Sequence, residues 1–147
     1  MTNLKIGVVG YSRPQFDQEK ATEMLKKGIA QFMEQFNAAK PNVEIVSGLT
    51  NVGIPKLAYE IAVAESLTTV GISAEEALKV SCGIFAVDKQ IIEGKNFGDE
   101  SQTFIDYIDC LIRVGGGEQS HEEVKMFQEK TQNKQQLLLE YELEFLG

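Results

Sequence analysis

Between Asp109 and Val124 the chain reads D-C-L-I-R-V-G-G-G-E-Q-S-H-E-E-V, and this stretch leaves few folds open. Cys110 to Val114 is short and mostly apolar, the form of a buried strand. Gly115, Gly116 and Gly117 follow, then Glu118-Gln119-Ser120 and a run of helical character to about Lys130. Strand, glycine turn and helix in that order is the sequence form of a phosphate site. Glycines let the backbone turn sharply and approach a ligand closely. The first N–H groups of a helix have no partner inside it and point at whatever lies beyond. Ser120 can add a hydroxyl to a phosphate oxygen or cap the helix. A tight connection with no ligand has the same form, so the rest of the chain must decide.

The remaining apolar runs give strands and helices in alternation. Lys5–Val9 reads as the first strand, with Gly10-Tyr11-Ser12-Arg13-Pro14 as its loop. Asp17 to Ala39 carries Ala21, Met24, Leu25, Ile29, Phe32, Met33 and Phe36 at helical spacing, and Pro41-Asn42 ends it. Val43–Val46 is the second strand and Ser47–Gly53 its loop. Pro55 suits the first turn of the next helix, which runs to about Glu65. Thr68–Ile72 is the third strand, and Ala74–Val80 a short helix. Gly83–Val87 is a fourth apolar run, Gln90–Glu93 another short strand, and Asn96–Ser101 a polar loop. Gln102–Ile108 is helical. From Gln136 to Leu146 the residues Leu137, Leu139, Tyr141, Leu143 and Phe145 share one parity, with Glu140, Glu142 and Glu144 between them, which predicts a final strand.

This alternation predicts an α/β fold: one domain, residues 1–147, with a parallel sheet covered by helices on both faces. Ligands of such sheets sit beyond the carboxyl ends of the strands, where the strand order reverses. The loops at that edge are Gly10–Pro14, Gly48–Gly53, Ser73 and Gly115–Ser120, and three of the four are rich in Gly, Ser, Thr and Asn.

Composition narrows the ligand class. The net charge of -8 argues against nucleic acid, whose backbone is held by clustered Lys and Arg. It leaves room for a small anion held by local dipoles. No run is long and apolar enough to cross a bilayer, and Met1-Thr2-Asn3-Leu4-Lys5 does not have the form of a signal peptide. Two cysteines, Cys82 and Cys110, are too few for a disulfide framework. They read as buried thiols in a reducing cytoplasm. A single histidine, His121, makes a zinc site improbable, so neither a metal nor a cofactor is expected.

Together the loops resemble those of the SLOG superfamily of Rossmann-like proteins, which includes the lonely-guy (LOG) phosphoribohydrolases once misnamed lysine decarboxylases. The family's hallmark is P-G-G-x-G-T-x-x-E. The matching stretch here is Gly115 to Glu123, in which Gly116, Gly117 and Glu123 match outright and Ser120 replaces Thr. Gly115 stands for the Pro and Gln119 for the third Gly. The second-strand loop is similar to V-x-G-G-G-x-x-G and keeps Gly48 and Gly53 around Leu49-Thr50-Asn51-Val52. Gly10-Tyr11-Ser12 resembles the family's G-S-S. The resemblance runs from Ile6 to Glu123 and implies a nucleotide-binding domain, commonly a homodimer. Its phosphate would sit on Gly115–Ser120, assisted by Gly10–Arg13 and by Gly48, Thr50 and Asn51.

The hydrolytic branch of that family pairs the hallmark Glu with a catalytic Arg. Counting back by the family's spacing, the Arg position holds Glu100. If the chain is an enzyme, the resemblance implies an N-glycosyl hydrolase acting on nucleoside monophosphates, with Glu123 and Glu100 as the candidate catalytic residues. Binding without catalysis, and a partner-binding protein that lost the ligand, are the other two readings. Individual residues also carry two readings each. Glu123 contacts a ribose, or is a first-turn acid favoured by the helix dipole. Arg13 is a phosphate ligand or a surface cation. Arg113, inside a strand, reads as a structural ion pair, and Glu122 and His121 as surface residues. Asp99 or Ser101 is the expected cap of the following helix.

Overall fold

The computed structural model describes residues 3–147, so Met1 and Thr2 of the stretch read as lacking a signal peptide lie outside it. Six strands form one sheet: β1 (Leu4–Gly10), β2 (Val43–Ser47), β3 (Thr68–Ser73), β4 (Lys89–Ile92), β5 (Cys110–Val114) and β6 (Leu138–Tyr141). Their order is β4-β3-β2-β1-β5-β6, and every pairing is parallel. Four helices connect them: α1 (Gln18–Gln35), α2 (Gly53–Ala64), α3 (Ser101–Tyr107) and α4 (Glu118–Thr131). This is the α/β fold with a parallel sheet that the alternating pattern predicts, in a Rossmann-like arrangement.

Burial follows the twofold period of the strands. Ile6, Val8, Ile45, Cys110 and Ile112 pack under α1 and α2 with Leu25, Phe32, Ile54 and Tyr59. Val9, Val46, Val70 and Leu111 face the other way, against Phe104 and Ile105 of α3 and Val124 and Phe127 of α4. β1, β2, β3 and β5 are thus covered on both faces, which is why they read as continuous apolar runs.

The winding sets where a crevice can open. From β1 the chain steps outward to β4, then returns past β1 to β5 and β6. The loops leaving β1 and β5 therefore diverge, and a crevice opens between them at the carboxyl end of the sheet.

Four expectations need correction. Gly83–Val87 is not a strand. Gly83 has φ +76, and the segment crosses back along the β2–α2 loop through Asn51 N–H to Gly83 O and Phe85 N–H to Leu49 O, with only an isolated bridge between Thr50 and Ile84. The final strand stops at Tyr141, and the chain then folds over the β1 loop, where Leu146 N–H donates to Gln15 O at 2.7 Å. α1 ends at Gln35 rather than Ala39, because Asn37 at φ +51 closes it. Cys82 is exposed in the 80s loop, whereas Cys110 is buried as expected.

Candidate functional site

The crevice between β1 and β5 holds a cavity of about 550 Å³, within the ~300–1,000 Å³ range of sites for organic ligands. The β1 loop contributes Gly10, Tyr11, Ser12 and Arg13, and the β2 loop contributes Gly48 and Thr50. From the β5–α4 turn come Gly117, Gln119 and Ser120. Glu100 and Glu123 also line it. Three sequence-predicted residues do not: Asn51, Gly115 and Gly116 are absent from the lining.

The glycine turn divides into two functions. Gly115 and Gly116 lie at φ +56 and +106, in the left-handed region that side chains rarely adopt. A Cβ on Gly115 would stand 2.3 Å from a Tyr11 ring carbon, and one on Gly116 would stand 2.6 Å from Ser120. Both make the turn and its packing. Gly117 has φ -100, and a Cβ there would meet nothing within 4 Å. It is the glycine that faces open cavity.

Gly117 is the residue before the first turn of α4, and no side chain caps that end. Ser120 is not the cap, since its hydroxyl donates to Gly10 O at 3.0 Å and ties α4 to β1. His121 is exposed, and its Nδ1–H donates to Gly117 O at 2.9 Å. The opening N–H groups of a 14-residue helix are left facing the cavity rim without a side-chain acceptor.

Arg113 holds this turn from behind. Its side chain is buried, with Nε–H to Glu140 at 2.7 Å, a second ion pair to Glu142, and Nη1–H to Gly115 O at 2.7 Å. The structural ion pair expected for it is present, and it fixes the glycine turn to β6. Tyr59, fully buried, donates to both Gly48 O (2.8 Å) and Val70 O (3.0 Å) and fixes the β2 loop. Ser47 and Ser73 also line the cavity, but Ser47 donates to Val8 O at 2.7 Å and Ser73 accepts from Leu49 N–H at 2.8 Å. Their hydroxyls build the floor.

The acidic side of the cavity is preorganised. Glu100 and Glu123 are both buried. Glu100 accepts from Gly98 N–H at 2.8 Å and from the Gln119 amide at 3.2 Å. Glu123 accepts from Ser101 Oγ–H at 3.0 Å. Burial pushes the Glu123 carboxyl up to about 7; the Ser101 hydrogen bond pulls it back, the negative Glu100 adds to the rise, and the Gln119 amide opposes it. Glu123 is thus no solvated first-turn acid, while Glu122 is exposed as expected. The helix cap expected from Asp99 or Ser101 is absent. Asp99 turns back to Lys95 and Asn96 N–H, and Ser101 serves Glu123.

Several lining residues were not assigned to the site from the sequence, and three of them bear on its chemistry. Glu118 brings a third carboxylate to the rim. Phe97 and Phe145 bring exposed aromatic surface. Phe97 was the more visible of the two, being a lone aromatic in an otherwise polar loop. Among the described residues, no cluster of three or more His, Cys, Asp or Glu side chains is placed to hold a metal ion.

No protein-family model matches the chain, and no curated protein matches it by sequence. Solved structures share its fold. A molybdenum cofactor carrier protein from Chlamydomonas reinhardtii superposes with a TM-score of 0.68 at 18% identity, over 94% of this chain and 89% of its own. The molybdenum cofactor binding protein of the phototrophic bacterium Rippkaea orientalis gives 0.69 at 20% identity, over 99% of this chain and 80% of its own. A structural-genomics target, TM1055, gives 0.63 at 16% identity, over 95% and 91%. At these identities the likeness is one of fold, a Rossmann-like α/β architecture.

Proposed function

We propose that the chain binds a small phosphate-bearing organic ligand, a nucleotide or nucleotide-derived cofactor, in the cavity between β1 and β5. The observation that carries this reading is the uncapped start of α4 at the strand-order reversal, with Gly117 leaving open space before it. Arg13, exposed and on the cavity lining, is placed to add a cation to the anion site. Two of the proteins that share the fold are a carrier and a binding protein for the molybdenum cofactor, and a ligand-binding role here would be of the same kind.

Charge limits the ligand. Glu100, Glu118 and Glu123 line the cavity against Arg13. A ligand with one phosphate and several hydrogen-bond donors suits that balance. A triphosphate, with its added negative charge, does not.

Thermal unfolding with AMP, GMP or inorganic phosphate tests the reading. A ligand at about a hundredfold over its dissociation constant adds ~2.7 kcal/mol, which for a domain of this size raises the melting temperature by roughly 5–10 °C. If none of the three shifts it, the nucleotide reading fails and a partner-binding role on the same fold takes its place.

One observation bears on hydrolysis. Glu123, titrating near neutrality beside Glu100, resembles a general acid or base. Cleaving the base–ribose bond also needs stabilisation of developing charge, and preorganised groups of that sort carry about 3–4 kcal/mol of a barrier each. In the LOG-like pattern an Arg does this where the chain has Glu100. Base release from AMP and GMP is therefore expected at background, by chromatography after prolonged incubation. Efficient release that disappears in Glu123→Ala would show that another cation does the work.

A further inference from the structure

We infer that the segment after β6 is part of the binding site, with Phe145 as the platform on which the ring of a heterocyclic ligand lies; this rests on the phosphate-ligand reading of the cavity.

The segment is fixed at several points. Glu142 pairs with Arg113, Leu143 O accepts from the Tyr11 hydroxyl at 2.6 Å, and Leu146 N–H donates to Gln15 O. The Phe145 ring stands against Tyr11, with centroids 5.1 Å apart and planes tilted by 48°. Tyr11 in turn stacks on the buried Phe16 at 5.9 Å. Phe145 is thus anchored on one side, yet it keeps 37% of its surface exposed.

That exposed surface lies on the cavity. Among the described residues three phenylalanines are exposed, and two of them, Phe97 at 45% and Phe145, line the cavity; Phe36, at the end of α1, does not. Exposed aromatic surface costs hydration free energy unless a ligand covers it. The cavity also greatly exceeds the volume of one phosphate. A phosphate at α4 leaves the rest of the ligand to fill the space toward the β1 loop, where Phe145 offers an ordered aromatic face. Base-on-aromatic stacking needs that geometry and tolerates any flat heterocycle.

The chain contains no tryptophan, so Phe145→Trp places the only one on the platform. Saturable quenching of its fluorescence by AMP or GMP is expected, with the midpoint matching calorimetry on the unaltered protein. Ribose 5-phosphate should not quench it, and a Phe36→Trp control should not respond. Phe145→Leu keeps apolar contact with Tyr11 and loses the flat face. It should weaken AMP and GMP binding about tenfold or more and leave ribose 5-phosphate unchanged. If AMP, GMP and ribose 5-phosphate bind the unaltered protein equally, or if Phe145→Leu weakens all or none of them, the platform is refuted while the phosphate site stands. If none of the three binds, the phosphate-ligand reading fails and the platform falls with it.

Discussion

Gly116→Val should unfold the protein, whereas Gly117→Val should leave it folded and unable to bind nucleotide. The two glycines are adjacent, so the contrast is one of geometry. Gly116 sits at φ +106, and a Cβ there would approach Ser120 to 2.6 Å and the Gly10 backbone to 3.2 Å. A β-branched residue in that region carries about 1–3 kcal/mol of backbone strain, before the overlap and the loss of the Ser120–Gly10 bond. Against a total stability of ~5–15 kcal/mol this is severe. Gly117 has an ordinary φ of -100 and open space around its missing Cβ. Valine is a poorer helix cap than glycine, at a cost of about 1 kcal/mol, so the melting temperature should fall by only a few degrees. Its methyl groups would enter the space before the α4 N–H groups and keep a phosphate away. Circular dichroism melts with calorimetry against AMP separate the cases. A Gly117→Val protein that binds AMP normally would place the anion elsewhere.

Glu123→Gln should stabilise the protein at pH 8 and leave it nearly unchanged at pH 4. The Glu123 carboxyl, buried and beside Glu100, is raised from 4.5 to about 7. Its contribution to stability is complete below 4.5, where it is protonated in both states. It is lost as pH rises through 7, because the folded protein must then either hold a buried charge or keep a proton that the unfolded chain releases. At ~1.4 kcal/mol per pH unit, the loss is on the order of 3 kcal/mol. Glutamine keeps the acceptor for Ser101 and never ionises. The difference between variant and parent should therefore open between about pH 4.5 and 7 and reach roughly 5–10 °C in melting temperature. Other carboxylates, such as the Arg113-paired Glu142, titrate in both proteins and cancel. Parallel curves from pH 4 to pH 8 would show that Glu123 is not held up by its surroundings.

Much of the fold was legible because strands covered on both faces leave continuous apolar runs, and amphipathic helices leave their own spacing. β1, β2, β3 and β5 are of the first kind and α1 of the second. Gly83–Val87 misled because an apolar run does not say what it packs on. Phe85 rests against Tyr59 from a loop, at 5.1 Å between rings, and the positive φ of Gly83 breaks any strand. The terminal alternation was half a strand. Leu143 does turn inward, but its carbonyl serves Tyr11 rather than β5. At the site, the glycine-rich loops announced themselves through residue type. Which glycine faces the cavity did not, because Gly115, Gly116 and Gly117 differ only in φ and in what surrounds a missing Cβ. Glu118 and Phe145 were hidden for a similar reason: a surface acid and a tail aromatic become cavity walls only once the chain has folded.

The most direct measurement is a crystal structure of the protein with AMP. The account predicts phosphate density before the N-terminus of α4, within hydrogen-bonding distance of the first N–H groups of that helix and beside Gly117. A phosphate bound away from that helix end, or no density in the cavity at millimolar AMP, would contradict it.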